Sequence, residues 1–141
     1  GEMSGHIFIN HDWYGFDDAI FSAVILTKII TDLDVSISEL VNKIPSTHST
    51  PELNLDVKDE EKFNMVEKFK SEMEFPNADI NTIDGVRISI DNSWALMRAS
   101  NTSPKLVLRF EGDTEDNLNQ IKNLFENNFL KIFPDIKLDY H

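Results

Sequence analysis

The 141-residue sequence contains no cysteine, which excludes disulfides, thiolate metal sites and a cysteine nucleophile, and fits a reducing cytoplasm. Basic residues are scarce: 13 Lys and Arg stand against 25 Asp and Glu, a formal net charge of −12. That balance disfavours nucleic acid and anionic membrane surfaces, and no basic stripe or run of aromatics among Lys and Arg offsets it. A long hydrophobic run is also missing. The longest, from Ala19 to Ile30, is interrupted by Ser22, Thr27 and Lys28, and falls far short of the roughly 20 residues needed to span a bilayer. No signal segment is visible either, so the expected location is the cytoplasm. An initiator Met is absent, Gly1 being first. This is expected of a chain that begins inside a longer natural sequence, or of a start chosen in cloning.

What is present suits a folded protein. Hydrophobic residues make up 40% and charged residues 27% of the chain, and ten Phe can fill a core. Gly5 to Asn10 reads as a short strand. Asp17 and Asp18 then place carboxylates at the start of an apolar run that predicts a helix from about Asp17 to Thr31. That helix has almost no polar face and needs burial on several sides. A second short helix is expected over Ser36 to Ile44, with Ser36 as cap and Glu39 in the capping-box position. The polar, proline-bounded stretch around Ser46 to Pro51 reads as a linker.

After it the pattern predicts a compact unit. Leu53, Leu55 and Val57 alternate with polar residues as a strand buried on one face, and a helix follows from about Asp59 to Met73, with Phe63, Val66, Phe69 or Lys70, and Met73 at helical spacing. Ile80 to Ile83 and Val86 to Ile90 flank Asp84-Gly85, the signature of a two-residue type I′ hairpin. Trp94 to Ala99 and Lys105 to Glu111 are the next strands. Thr114 or Asp113 caps a last helix in which Leu118, Ile121, Phe125 and Phe129 share one face. The fold class is therefore α+β: a mainly antiparallel sheet of about four to five strands against two helices over 52–141, preceded over 1–45 by a strand and two helices of a partial α/β domain, with 46–51 between them.

Between two of these strands, Arg98-Ala99-Ser100-Asn101-Thr102-Ser103-Pro104 gathers an arginine, three hydroxyls and a carboxamide around a tight turn. Such a loop can offer side-chain donors and unpaired backbone N–H groups to an anion, and Arg98 can grip phosphate oxygens bidentately. Asn101 tolerates the left-handed backbone a turn of this kind can require. An ordinary polar turn has the same composition. His11-Asp12 resembles half a metal site, but no second ligand pair has suitable spacing. His48 falls in the linker and His141 at the end of the chain. Asp59-Glu60-Glu61 reads as a helix-start charge cluster rather than an acid/base pair, and Trp94 as a core or edge aromatic.

The loop is similar to the Arg-x-Ser-(Gly or Asn)-Thr-x-Pro loop of the α-D-phosphohexomutases, and its Asn form resembles the bacterial dual-specificity phosphomannomutase/phosphoglucomutase branch. The flanking Asp84-Gly85-Val86-Arg87, Trp94 to Arg98 and Leu106 to Glu111 resemble that family's C-terminal domain. Gly1-Glu2-Met3-Ser4-Gly5-His6 is similar to its sugar-specificity motif, and Phe16 to Ile20 and Ser49 to Glu52 are also alike, so the likeness covers essentially the whole chain. The resemblance implies the end of a third domain and all of a fourth. It assigns Glu2 and Ser4 to sugar hydroxyls, His6 to tentative proton transfer near the reacting phosphate, and Arg98, Ser100, Asn101, Thr102 and Ser103 to substrate phosphate.

In that family a phosphoserine exchanges phosphate with a hexose 1- or 6-phosphate through a bisphosphorylated sugar. No Asp-Gly-Asp pattern or serine loop is present here. Magnesium and a hexose 1,6-bisphosphate activator are implied for a full enzyme, with no cofactor or metal held within this chain. Implied partners are the hexose phosphate substrate and the remaining domains of a parent enzyme that is itself a monomer, whereas the fragment is expected to self-associate or stay loosely packed over residues 1–45, and to be inactive alone. The other reading of the same sequence is a non-enzymatic regulatory or protein-binding α+β module.

Overall fold

In the computed structural model of the chain, residues 1–2 and 4–140 are described; Met3 of the N-terminal motif and His141 lie outside them. The polypeptide divides into two units, Gly1–Pro45 and Ser46–His141.

In the first unit, Asp18 stands in extended backbone and its carboxylate accepts from the Phe21 amide, starting helix α1 over Ala19–Leu33. The helix ends where Asp34 turns left-handed, φ 49°. Helix α2, Ile37–Val41, starts from the expected capping box: the Glu39 amide donates to Ser36 Oγ and the Ser36 amide to the Glu39 carboxylate. Gly5 to Asn10 is not a strand. Only Phe8 makes a bridge, to Asp17, because no further chain offers a ladder on either side among the described residues of this unit.

The second unit is built on a sheet whose neighbours are all antiparallel. Its strands are β1 (His48–Ser49), β2 (Leu53–Asp56), β3 (Asp79–Asn81), β4 (Val86–Ile90), β5 (Ser93–Ala99) and β6 (Lys105–Gly112). They run in the order β1-β6-β5-β4-β3, and β2 pairs with the same edge of β6 as β1. The stretch read as a linker thus supplies β1: His48 and Ser49 pair with Gly112 and Glu111, and Thr50 exchanges hydrogen bonds with Phe110. The hairpin between β3 and β4 is present, but Asn81 pairs with Arg87, which leaves five residues in the connection rather than two. Only Gly85 of the Asp84-Gly85 pair has a positive φ, 76°, where a type I′ turn needs two.

Helices α3 (Lys62–Glu72) and α4 (Glu115–Ile132) cover one face of the sheet. Alternation along the strands sends Val86, Ile88, Ala95, Met97, Leu106, Leu108 and Phe110 to that face, where they meet Phe69, Ile121, Phe125 and Phe129, nearly all fully buried. The buried residues of α3 are Lys62, Met65, Val66 and Phe69, while Phe63, expected inside, is 54% exposed. The opposite sheet face carries Arg87, Trp94, Leu96, Arg98, Val107 and Arg109. All three arginines of the sequence lie on it.

Candidate functional site

Chain reversal between β5 and β6 creates the 98–104 loop. The Ser100 amide donates to the Lys105 carbonyl and the Lys105 amide to the Ser103 carbonyl, which closes the turn at its base. Within it, Ser100 Oγ accepts from the amides of Thr102 at 3.4 Å and Ser103 at 3.2 Å, and pairs with Ser103 Oγ at 2.8 Å. Two backbone amides of the loop are therefore gathered on a serine hydroxyl rather than left unpaired, a local satisfaction typical of serine in turns. Asn101 and Thr102 are exposed; Ser100 and Ser103 are half-buried.

Arg98, the last open-face residue of β5, stands at the foot of this loop. It pairs with Val107 on one side. On its other side is Gly85, where a Cβ would lie 2.7 Å from Arg98 Cβ, so the glycine makes room for the arginine. Asp84 Oδ2 is 3.9 Å from the guanidinium. The loop itself contains no acid, and the hairpin connection brings one to it. Arg87 and Arg109 face each other across Leu96 in the next row of the same sheet face. In a chain of net charge −12, the arginines are what this face offers an anion, with Arg98 at the loop end and the Arg87 guanidinium turned toward Trp94. The far end of the face differs. A pocket of about 360 Å³ there is lined by Asp91, Glu111 and Asp113 beside Arg87 and Trp94, with the Arg87 guanidinium 4.4 Å from the Trp94 ring centroid. Its carboxylates suit it poorly to phosphate.

The N-terminal motif, in the first unit, forms its own small turn. The Glu2 amide donates to the His6 carbonyl at 2.8 Å, the Gly5 amide to the Glu2 carbonyl, and Ser4 Oγ to the Glu2 carboxylate at 3.0 Å. Glu2, Ser4 and His6 are thus brought together, all exposed. His6 Nδ1 meets Asp17 Oδ2 at 2.5 Å, while Asp17 Oδ1 accepts from the Ile7 amide. The hydrogen bond to Asp17, and then that carboxylate's charge, raise the His6 pKa above its ordinary value; Glu2 adds a smaller push and desolvation opposes them. A carboxylate on Nδ1 fixes the ring and leaves Nε2 for a ligand. Asp17 was expected to start a helix. That duty falls wholly to Asp18, whose other oxygen takes the Trp13 indole N–H, and the adjacent pair of acids was the signal that one was spare.

Among the described residues, no group of three or more His, Cys, Asp or Glu is arranged so that it could hold a metal ion. His11 and Asp12 sit 3.3 Å apart and are almost fully exposed. One imidazole and one exposed carboxylate are a poor ligand set for magnesium, which takes oxygen ligands in octahedral geometry.

Residues 52–127 match the family model of the phosphoglucomutase/phosphomannomutase C-terminal domain, and residues 1–48 that of the alpha/beta/alpha domain III of the same enzymes. The chain belongs to the phosphoglucomutase/phosphomannomutase family. It is 46% identical over 140 residues to a phosphomannomutase/phosphoglucomutase of Pseudomonas putida, covering 99% of this chain and 30% of that protein. A phosphoglucomutase of Neisseria meningitidis is 42% identical, over 89% of this chain and 28% of its own length. A crystal structure of a phosphoglucomutase/phosphomannomutase family protein from Burkholderia thailandensis superposes with a TM-score of 0.84 at 35% identity, over 98% of this chain and 29% of that one. The chain therefore spans under a third of these family members. Both loops described above fall within the matched domains.

Proposed function

We propose that this chain is the sugar- and phosphate-recognition part of a phosphohexomutase that interconverts hexose 1-phosphate and hexose 6-phosphate, of mannose, glucose or both. The observation that carries the reading is the convergence of the Ser100 and Ser103 hydroxyls and the Thr102 and Ser103 amides at one point beside Arg98. A phosphate entering there would accept from Arg98 bidentately and take over the two amides as the Ser100 hydroxyl turns to donate to it, with the Asn101 carboxamide and Thr102 hydroxyl as further donors. Glu2 and Ser4, already hydrogen-bonded to each other, are suited to read a pattern of sugar hydroxyls, since a wrong sugar leaves polar groups unpaired. His6, oriented by Asp17, is suited to hold or move a proton near the reacting phosphate. A phosphoserine nucleophile, the magnesium it works with and a bisphosphorylated intermediate belong, in this reading, to the remainder of a mutase, in the cytoplasm.

The test is a titration of the chain with glucose 1-phosphate and with inorganic phosphate, followed through the amide NMR signals of residues 100–103. Those signals should move in the wild type, and Arg98→Ala should weaken binding by about ten- to a hundredfold, as loss of a charge-assisted contact worth roughly 1.5–3 kcal/mol requires. Signals that ignore both ligands would remove the loop from any phosphate site.

A further inference from the structure

Beneath the 98–104 loop lies Lys62, the first residue of α3, with 4% of its surface exposed. Among the described residues it is the buried polar or charged member of an otherwise apolar core. Its ammonium donates to the Ser103 carbonyl at 3.1 Å and pairs with the Asp59 carboxylate at 2.7 Å. Taking an ammonium out of water is costly, and a well-packed apolar residue of similar volume is often as stable or more so. Asp59 alone does not account for the burial, because its carboxylate is 68% exposed and could pair with a lysine that stayed in water. Burial sets the ammonium 5.2 Å from the Phe63 ring centroid, a contact within its own helix, and adds the long-range one to Ser103, 41 positions away in the sequence.

That contact acts on the loop's chemistry. The Ser103–Pro104 peptide has no N–H, since proline lacks one, so toward an anion it can only present its carbonyl oxygen, which repels. Two donors hold that oxygen: the Lys105 amide from β6 at 2.8 Å and the Lys62 ammonium from the helix. With the carbonyl fixed, the Ser103 amide and hydroxyl stay on the Ser100 side of the turn, where the loop's donors converge.

We propose that Lys62 is a positioning residue for the anion site: its buried ammonium clamps the Ser103 carbonyl and so presets the loop to receive the phosphate of a phosphomonoester dianion. The proposal rests on the reading of residues 98–104 as a phosphate site. Lys62 acts on the ligand through Ser103.

The test uses the chain with glucose 1-phosphate as the probe, comparing wild type, Lys62→Met, Lys62→Gln and Arg98→Ala. Lys62→Met keeps the volume and should weaken binding roughly tenfold while the urea midpoint of unfolding stays the same or rises, a combination that a merely structural lysine would not give. Lys62→Gln keeps an N–H donor for the carbonyl and should bind within about threefold of wild type. A Met variant that binds as tightly as wild type, a fall in affinity matched by a fall in stability, or a Gln variant no better than Met overturns the proposal. Should the variants fail to fold, the wild-type ¹⁵Nζ signal of Lys62 decides: it should move in step with the Thr102 and Ser103 amides, and an ammonium that stays still while they move overturns the clamp. If the wild-type amides do not respond at all, the phosphate reading of the loop fails and the clamp with it. If they respond and Arg98→Ala abolishes the response while Lys62→Met matches wild type, only the part given to Lys62 is lost.

Discussion

Adjacent aspartates at the entrance to α1 show how much one position decides. Asp18 gives one oxygen to the Phe21 amide and the other to Trp13, holding the helix start, whereas Asp17 gives both of its oxygens to the His6 segment. Replacing Asp17 by Asn should therefore leave the helix and lower the His6 pKa toward its ordinary value, read as a shift of the His6 Cε1 proton titration to lower pH. The sign extends to stability. A histidine whose folded pKa is raised stabilises the fold fully below its unfolded pKa of about 6.5 and ceases to as pH rises through the raised value, so the contact should be lost on the alkaline side. A His6 titration identical in wild type and variant would mean that the pair does not form in solution. Gly85 offers a second residue-scale test. It has φ 76°, and a Cβ there would fall 2.2 Å from the Met97 carbonyl oxygen and 2.7 Å from Arg98 Cβ. Gly85→Ala should cost roughly 2–4 kcal/mol in urea unfolding, from backbone strain and overlap together. It should also weaken phosphate binding, because β5 must shift under Arg98.

Elements with a strong period were legible and those defined by a few long-range bonds were not. Thr114 caps α4 as expected, and Ile121, Phe125 and Phe129 lie fully inside because they recur every four residues on one stripe. In α3 the same reasoning misplaced the stripe. The buried set at positions 62, 65, 66 and 69 has ideal helical spacing, but its first member is a lysine, which apolar patterning discards, and Phe63 took its place in the reading. The difference is measurable: Phe125→Ala should destabilise the chain by about 3–5 kcal/mol and Phe63→Ala by no more than about 0.5 kcal/mol. Comparable losses at the two positions would restore the stripe read from sequence. Strand β1 was hidden for another reason. His48 and Ser49 are polar and show no apolar alternation, and only pairing with Gly112 and Glu111, more than 60 positions later, makes them a strand. The loop's composition was legible in the same way that caps are, whereas the gathering of its amides on Ser100, the lysine beneath it and the carboxylate of Asp84 beside Arg98 depend on contacts no local pattern encodes.

At the scale of the molecule, the two units differ in how well they bury their own apolar residues. Unit Ser46–His141 encloses a core of phenylalanines, while α1 in unit Gly1–Pro45 has no buried residue and exposes Ile20 at 81%, Val24 at 58% and Leu33 at 55%. Apolar surface of that extent favours association or local opening. Residues 1–45 should therefore be cut by protease well before 52–140, or sedimentation should show concentration-dependent self-association; a monomer uniformly resistant to protease would contradict this. The catalytic consequence follows from the same division. Phosphoryl transfer needs a nucleophile in line with the phosphorus and cations placed on the developing charge. Under the proposed function these residues recognise sugar and phosphate, and none of them is the nucleophile. A polypeptide of these 141 residues should accordingly bind glucose 1-phosphate weakly through the Arg98 loop and show no mutase activity, even with magnesium and glucose 1,6-bisphosphate present. Incubation with glucose 1-phosphate or mannose 1-phosphate, followed by phosphorus NMR, should leave the 6-phosphate region empty. Conversion that scaled with protein concentration and survived repurification would place a phosphoryl acceptor within these residues, with the loop hydroxyls of Ser100, Thr102 and Ser103 the first to be replaced by alanine in locating it.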